Sequence, residues 1–300
     1  MHTIGVDIGG TQLRAAFFDA NHRIVERAVF PNERSLGVEA NLDKISEFIN
    51  RHKNRFPSKG IGIGCPGPLD FPAGKILNPP NLYGWNNFEL VRYMKQKTGF
   101  NAALNNDANA AGLAEALLGA GKGRESVFYM TVSTGIGGAY IYRGELVAGA
   151  HSAAAEVYNL IVCEDDFSHN DANAGSLNEV CSGDAMSRQA GAAYGRPVGA
   201  KELYDELYLK KKDAKAFDII ESCADNLAKG IANISCVVDP DIFILGGSIA
   251  LYSRGFLDLV AQKAGRYLIH PEALQIEKAS LGGDAGLIGA ALLISRIKWE

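Results

Sequence analysis

The fold of this chain is decided by residues 4–19, which read IGVDIGGTQLRAAFFD. Apolar residues on both sides of a Gly-Gly pair predict two strands joined by a tight turn, with Asp7 at the end of the first strand. A glycine turn leaves backbone N–H groups uncovered by side chains, and such a concavity binds anions. A carboxylate beside it suits Mg2+, which keeps most of its waters. The stretch therefore indicates a site for nucleotide phosphates and magnesium; the alternative is an ordinary β-hairpin.

A second copy of this plan lies in the middle of the chain. Residues 127–146 read VFYMTVSTGIGGAYIYRGEL, again a strand, a glycine turn with hydroxyls and a second strand. Two such hairpins predict two similar halves, each offering a phosphate-binding turn to one cleft. A third glycine pair, Gly246-Gly247, follows the apolar run Ile242–Leu245. Its lack of side chains would let a flat nucleotide base lie against the backbone.

Composition restricts the classes of protein that the chain can belong to. Hydrophobic residues make up 47% and charged residues 21% of the 300 residues, as in soluble globular proteins. A formal net charge of -4 argues against a nucleic-acid or anionic-membrane partner. No apolar run reaches the length of a membrane helix, and no signal sequence is recognisable, so we expect a cytoplasmic protein. The five cysteines are widely spaced, which predicts reduced, structural thiols.

Strands and helices alternate along the chain, which predicts an α/β fold. The first half should end near Gly119–Arg124, where glycine and charge interrupt the apolar pattern. The predicted strands are 4–8, 13–18, 23–30, 60–68 (broken by Pro and Gly), 101–104, 242–245 and 274–279. The predicted helices are 42–49, 89–97, 108–118, 183–194, 200–209, 213–238, 254–268 and 284–298.

Two segments of the first half carry polar groups that suit a polyol. The loop Asn78–Trp85 is stiffened by prolines, and Asn81 within it is a candidate sugar ligand; the alternative is a plain surface loop. In Asn105–Ala111, Asp107 stands where a strand ends and a helix begins, a position that faces the cleft in α/β proteins. Asp107 is the candidate catalytic carboxylate, and the alternative is a helix N-cap.

These segments, in this order, resemble the ROK family of sugar kinases (repressor, open reading frame, kinase) in the actin and Hsp70-like ATPase superfamily. The matching segments are Asp7–Thr11, Asn106–Asp107, Ser133–Gly138, Leu245–Gly247 and Gly283–Ala291. The resemblance implies a two-lobed actin-like (RNase H-like) α/β fold with an interdomain cleft. The small lobe would be 1–120, with the terminal helix 284–300 as a candidate to complete it. The large lobe would be 121–283, with the adenosine site and a dimer interface.

The resemblance also implies an activity, the transfer of the ATP γ-phosphoryl group to a sugar hydroxyl, usually the C6 hydroxyl of a hexose. Asp107 would be the general base, and Asp7 would hold Mg2+ through water. The implied ATP-binding residues are Asp7, Gly9, Gly10, Thr11, Thr134, Gly135, Gly137, Gly246 and Gly247. The implied sugar-binding residues are Asn81, Asn106, Asp107, Glu156, Asn159, Asn178 and Glu179.

The chain departs from the family pattern between residues 156 and 179. Family members commonly carry Glu-x-Gly-His and a cysteine-rich zinc segment that ends in Gly-Cys-Leu-Glu. Here Glu156 is kept, Asn159 stands in the place of the His, and Asn178 stands in the place of the sugar-binding Glu. Glu179 could substitute for that Glu if the loop shifts by one residue. Since the His and the cysteines are absent together, we expect no zinc site.

Because of this departure, the sequence does not determine which sugar is the substrate. The chain resembles zinc-free members that include glucokinases, β-glucoside kinases and N-acetylmannosamine kinases, so we expect a glucose-type hexose or glucoside first and an N-acetylhexosamine second. A sugar-sensing regulator is the remote alternative. It would need a helix-turn-helix ahead of the core, and the kinase-like pattern begins at residue 4, which leaves no room for one. A pseudokinase would show damage at Asp7, Asp107 or the glycine turns, and all are intact. A homodimer is expected from the resemblance alone.

Overall fold

The computed structural model describes residues 1–80, 82–169 and 172–296. Its strands are β1 (His2–Ile8), β2 (Gln12–Phe18), β3 (Ile24–Pro31), β4 (Ser58–Cys65), β5 (Leu69–Asp70), β6 (Lys75–Ile76), β7 (Ala102–Asn106), β8 (Ser126–Val132), β9 (Ile136–Tyr142), β10 (Glu145–Leu146), β11 (Ile242–Gly246) and β12 (Ile276–Lys278). Its helices are α1 (Gly37–His52), α2 (Leu90–Thr98), α3 (Asp107–Leu118), α4 (Leu177–Cys181), α5 (Gly183–Tyr194), α6 (Ala200–Glu202), α7 (Ala214–Val238), α8 (Gly247–Tyr252), α9 (Phe256–Ala264) and α10 (Ala285–Arg296).

The chain forms two compact units. Unit 1 comprises Met1–Glu115 and Leu281–Glu300, and unit 2 comprises Ala116–Ser280. Each unit is built on a five-stranded sheet, with strand order β3-β2-β1-β4-β7 in unit 1 and β10-β9-β8-β11-β12 in unit 2. In both sheets an antiparallel meander precedes parallel strands. The expectation of two similar α/β halves is therefore confirmed.

Most elements agree with the sequence predictions, but several helices differ, and the two-residue strands β5, β6 and β10 were not predicted. The helix expected at 200–209 is the short α6 followed by a π-helix, Leu203–Lys210. Leu203, Tyr204 and Leu207 of this π-helix are buried. The helix expected at 254–268 is the shorter α9. Helices α4 and α8 were not predicted, because five or six residues are too few to show a helical period.

In unit 1, the two faces of the sheet carry different side chains. Ile4, Val6 and Ile8 alternate onto one face of β1 and belong to the same core cluster as the buried apolar residues of α1 and α2. Gly5 alternates onto the other face, which α10 covers.

Helix α10 lies so close to the sheet that only glycine fits beneath it. A Cβ on Gly62 would lie 1.7 Å from the carbonyl oxygen of Ala290, and one on Gly5 would lie 2.3 Å from that of Leu287. The crossing of α10 with α3 is equally close, because a Cβ on Gly289 would lie 1.7 Å from the carbonyl oxygen of Ala110. These glycines fix the position of α10 on β1 and β4.

In unit 2, the 25-residue helix α7 is the centre of the core. Its buried stripe packs against α4, α5 and α9, and the side chains that meet there include Leu177, Met186, Leu227, Ile231 and Phe256. In the part of the chain that the structure describes, no helix is both long and apolar enough to cross a membrane.

We expect Gly62→Ala to lower the free energy of unfolding by more than about 3 kcal/mol, because the new methyl group would overlap backbone atoms of α10. The midpoint of urea denaturation measures this change. The matched control is Gly64→Ala in the same strand, where the nearest atom would be 3.6 Å away. Equal midpoints for the two variants would contradict the close packing of α10.

Candidate active site

Asp7 and Asp107 lie near the carboxyl ends of β1 and β7, two parallel strands on either side of β4. Asp7 in β1 is level with Gly64 in β4, and Gly64 is level with Asn105 in β7. Asp107 follows β7 directly as the first residue of α3. The carboxyl ends of parallel strands are where α/β proteins bind ligands.

The start of α3 is capped by Asn106. Its Oδ1 accepts a hydrogen bond from the Ala108 N–H at 2.8 Å, the bond that a capping side chain makes. Asp107 Oδ1 also accepts from this N–H, at 2.9 Å. The capping role considered for Asp107 is thus shared with Asn106.

Asp7 is buried and forms an ion pair with Arg14. Arg14 stands opposite Asp7 in the β1–β2 register and also donates to the Gly283 carbonyl. A Cβ on Gly286 would lie 3.5 Å from Asp7 Oδ2, so the first turn of α10 lies against this carboxylate. Burial raises the pKa of Asp7, and the Arg14 guanidinium works against that rise.

The two carboxylates and a buried thiol influence one another. Burial raises the pKa of Asp107 to about 6, and the negative charge of Asp7 adds to the rise. Burial and the charges of Asp107 and Asp7 raise the pKa of the Cys65 thiol well above its usual range. Cys65 is therefore a neutral group beside the two acids, and Asp107 is a carboxyl that can exchange a proton near neutral pH.

The first glycine turn, Gly9–Thr11 (turn 1), joins β1 to β2. Gly9 N–H donates to the Gln12 carbonyl at 2.8 Å. Asn32 holds the turn from the end of β3: its Nδ2 donates to the Gly9 carbonyl at 2.8 Å and its N–H to the Thr11 carbonyl at 2.9 Å. No described residue accepts from the N–H of Gly10 or Thr11. Turn 1 thus presents unpaired donors beside Asp7.

The second glycine turn, Ser133–Gly135 (turn 2), joins β8 to β9 and is also held through its carbonyls. Ser133 and Thr134 accept at their carbonyls from the N–H groups of Gly183 and Asp184, at 2.8 and 3.1 Å. Among the described residues, nothing accepts from the N–H of Thr134 or Gly135. The predicted Gly137 lies in β9, opposite Thr131, and not in the turn itself.

Gly246 and Gly247 form the junction of β11 and α8 in unit 2. A Cβ on Gly246 would lie 2.5 Å from the Tyr129 hydroxyl, and one on Gly247 would lie 2.4 Å from the Val132 carbonyl. Gly247 also has a φ of +85°, which favours glycine. Packing against β8 therefore requires both glycines, whatever else they bind.

The predicted sugar residues of unit 2 lie on two segments joined by backbone hydrogen bonds. Leu177 N–H donates to the Leu160 carbonyl, and Val162 N–H to the Gly175 carbonyl, each at 2.9 Å. Glu156 precedes and Asn159 ends a 3-10 turn on the first segment. Asn178 and Glu179 lie on the second, in α4. The fold thus brings these four residues into one region, while Asn106 and Asp107 lie in unit 1 and Asn81 lies outside the described residues.

Both asparagines of this region are engaged in local hydrogen bonds. Asn159 Oδ1 accepts from the Asn173 N–H at 2.6 Å. Asn178 Oδ1 accepts from the Ile136 N–H at 3.1 Å, and its Nδ2 donates to Glu179 Oε1 at 2.9 Å. The Glu179 side chain is buried, and the Glu156 residue is exposed.

Backbone hydrogen bonds close the segment in which the family's zinc motif would stand. Two backbone bonds tie its ends together, from Val162 N–H to the Gly175 carbonyl and from Leu177 N–H to the Leu160 carbonyl. A third bond runs from the Asn173 N–H to the side-chain Oδ1 of Asn159. Among the described residues, no three His, Cys, Asp or Glu side chains are grouped closely enough to hold a metal ion.

Sequence reasoning missed three residues of the site, Arg14, Asn32 and Cys65. Arg14 could have been found, because the hairpin register places it opposite Asp7. Asn32 and Cys65 carry no local signal, since their roles depend on which strands become neighbours.

Comparison with known proteins defines the class. The model of the ROK family matches residues 3–297, and the chain belongs to this family. It is 33% identical to the N-acetylmannosamine kinase of Escherichia coli over 98% of each chain. The ROK hexokinase of Thermus thermophilus has a TM-score of 0.90 and 35% identity over 97% of each chain.

A further solved structure shows ligands. The ROK glucokinase of Streptomyces griseus, in complex with glucose and AMPPNP, has a TM-score of 0.80 and 29% identity over 98% of this chain and 99% of that one. The family expected from the glycine turns, and the two-lobed α/β fold class that it implies, are confirmed by these matches.

Asp107→Asn should stabilise the fold at neutral pH. The pKa of Asp107 is about 6 in the folded protein and about 4 in an unfolded chain. Between these values the folded state holds the extra proton, so stability falls as pH rises, and the loss is complete above about pH 6. After allowance for partial exposure, Asn should raise the free energy of unfolding by about 1–2 kcal/mol at pH 7.5 and by little at pH 4.

Urea denaturation at both pH values measures this difference. Asp19→Asn is the control, because N–H donors from Arg23 and Asn21 lower the pKa of Asp19. That substitution should not stabilise the protein at pH 7.5. A loss of stability in Asp107→Asn at pH 7.5 would contradict a raised pKa at Asp107.

Proposed function

We propose that this chain is an ATP-dependent sugar kinase that transfers the γ-phosphoryl group to the C6 hydroxyl of a hexose, either a glucose-type hexose or a glucoside. The observation that carries the proposal is the Asp107 carboxyl, which lies at the carboxyl ends of the parallel strands with a pKa of about 6. Sugar phosphorylation needs a base of this kind near neutral pH. Membership of the ROK family and likeness to the glucokinase that binds glucose and AMPPNP support the same activity.

Asp107 acts as the general base in this proposal. It takes the proton of the sugar hydroxyl as that oxygen forms its bond to the γ-phosphorus. The bond between the γ-phosphorus and the bridging oxygen breaks, and its electron pair leaves with ADP. Phosphoryl transfer asks the protein mainly for positioning and charge neutralisation.

The phosphate ligands are the unpaired N–H groups of the two turns. Gly10 and Thr11 offer donors in turn 1, and Thr134 and Gly135 offer donors in turn 2. Gly9 and Gly137 flank these donors, and Gly246 and Gly247 are proposed at the adenosine. Asp7 suits a hydrated Mg2+, because a single buried carboxylate beside phosphate donors is what this ion uses. The ion would neutralise charge on the phosphates, and Arg14 now balances the charge of Asp7.

The proposed sugar ligands of unit 1 are Asn106 and Asp107, and those of unit 2 are Glu156, Asn159 and Glu179. The local bonds of Asn159 leave its Nδ2 group available as a neutral donor. Asn81 is proposed on its sequence position alone. Neutral amides in place of His and Glu suit a free hexose or a glucoside.

A second candidate is an N-acetylhexosamine kinase. The observation that favours it is the 33% identity with the E. coli N-acetylmannosamine kinase over almost the whole of both chains. Release of ADP, followed over free hexoses, N-acetylhexosamines and disaccharide glycosides, separates the two candidates. Activity confined to N-acetylmannosamine would establish the second.

The remaining proposals concern the cellular location, the oligomeric state and the partners. We propose a cytoplasmic homodimer whose partner is the small-molecule sugar, with no nucleic acid and no membrane. The net charge of -4 supports the absence of a nucleic-acid partner.

We expect Asp107→Asn to lower kcat by about 10²–10⁴-fold, because the variant lacks the base but keeps the hydrogen bond to Ala108. Sugar binding, measured by calorimetry, should change little. In the wild type, kcat/KM should fall about tenfold per pH unit below about pH 6, as Asp107 takes up its proton. Asp19→Asn serves as the control with full activity. Near-wild-type turnover in Asp107→Asn would place the base elsewhere.

We expect a zinc-selective chelator to leave both the circular dichroism spectrum and kcat unchanged. The reason is that backbone hydrogen bonds already close the segment between Val162 and Gly175. Removal of Mg2+ should abolish turnover without unfolding the protein. Unfolding by the zinc chelator would show that the segment depends on a metal.

A further inference from the structure

Each glycine turn is held in place by one asparagine side chain from outside the hairpin. In unit 2 this residue is Asn178, whose amide makes a hydrogen bond through each of its ends. Its Oδ1 accepts from the Ile136 N–H at 3.1 Å, immediately after turn 2. Its Nδ2 donates to Glu179 Oε1 at 2.9 Å. The same Oδ1 lies 3.1 Å from the position of a Cβ on Gly135, so the amide packs directly against the turn.

The hydrogen bonds around turn 2 show how Asn178 restrains it. The Ser133 and Thr134 carbonyls are fixed by N–H groups at the start of α5, and the Ile136 N–H is fixed by Asn178. The peptide groups on both sides of Thr134 and Gly135 are therefore held. The orientation of the two unpaired N–H groups depends on these anchors.

The two hydrogen-bond partners of the Asn178 side-chain amide fix its orientation. The Ile136 N–H can only donate, so it requires the Oδ1 end of Asn178, and the Nδ2 end then donates to Oε1 of the buried Glu179. An isolated asparagine could turn its amide over, but this one is fixed by its two partners.

Asn32 has the equivalent role in unit 1. It donates from Nδ2 to the Gly9 carbonyl and from its backbone N–H to the Thr11 carbonyl. The two hairpins are similar in sequence, yet the asparagines come from unrelated places: Asn32 follows β3, and Asn178 lies in α4.

We propose that Asn178 and Asn32 are positioning residues for nucleotide binding, each holding one glycine turn in the conformation that presents its N–H groups to phosphate. The proposal rests on the proposed kinase function. It gives Asn178 a different role from the sugar contact that its sequence position suggests.

The first experiment measures binding of AMPPNP by calorimetry without sugar, together with KM for ATP and for sugar. Asn178→Ala and Asn32→Ala should each weaken AMPPNP binding and raise KM for ATP about tenfold, while KM for sugar stays within about twofold. The double variant Asn178→Asp, Glu179→Gln keeps an acceptor for Ile136 and reverses the donor and acceptor of the side-chain pair. It should restore AMPPNP binding to within about threefold of the wild type. Asn178→Leu replaces Asn178→Ala if the alanine variant does not fold.

Matched controls are Asn173→Ala in unit 2 and Asn21→Ala in unit 1, both exposed residues. Their KM values should equal those of the wild type. A rise confined to KM for sugar in Asn178→Ala, or equal rises for sugar and ATP, would overturn the proposal.

Hydrogen exchange tests the positioning itself without any ligand. In Asn178→Ala, amide exchange in residues 131–137 should be at least about tenfold faster than in the wild type, because Ile136 N–H loses its acceptor. Unchanged exchange would overturn the proposal even if the wild type is an active kinase. If the wild type binds no AMPPNP and phosphorylates no sugar, the proposed function fails, while the exchange result still decides whether Asn178 holds turn 2.

Discussion

The close packing of α10 on the glycine face of β1 and β4 is the constraint on which the site in unit 1 depends. Because Gly5 and Gly62 have no side chains, the backbone of α10 reaches the sheet, and its first turn lies against the Asp7 carboxylate. The 3-10 turn Gly282–Asp284, immediately before α10, supplies the Gly283 carbonyl that accepts a hydrogen bond from Arg14. The burial of Asp7, and the position of the cation that balances its charge, both follow from this contact.

Burial raises the pKa of Asp107, and the charge of the buried Asp7 in turn adds to that rise. Asp7 and Asp107 lie near the carboxyl ends of β1 and β7, on either side of β4. Both carboxyls are desolvated, and the negative charge of Asp7 acts on Asp107. The ion pair with Arg14 offsets part of the cost of burying the Asp7 charge, and no described cation forms an ion pair with Asp107. The asymmetry separates the two acids: Arg14 offsets part of the rise in the pKa of Asp7, whereas the pKa of Asp107 rises to about 6, a value that suits proton transfer.

The sequence was most informative where a local pattern decides the structure. The apolar runs around Gly9-Gly10 and the segment Ser133–Gly138 predicted both hairpins, and the position of Asp107 between a strand and a helix predicted its place at the sheet edge. Contacts between distant segments could not be predicted. Asn32, Cys65 and the orientation of Asn178 depend on strand order and on helix α4, which is too short to show a period.

The two units restrain their glycine turns with different residues. A glycine turn that binds anions must keep its N–H groups unpaired, yet an unpaired turn is not fixed by its own hairpin. The missing restraint has to come from groups that bond to the turn's carbonyls or to the peptide beside it. In unit 1, Asn32 supplies it with donors only, whereas in unit 2 the start of α5 supplies donors and Asn178 supplies an acceptor. Similar hairpins therefore need not have similar anchors, and a residue that departs from the family pattern, as Asn178 does, can take a role that its aligned position does not suggest.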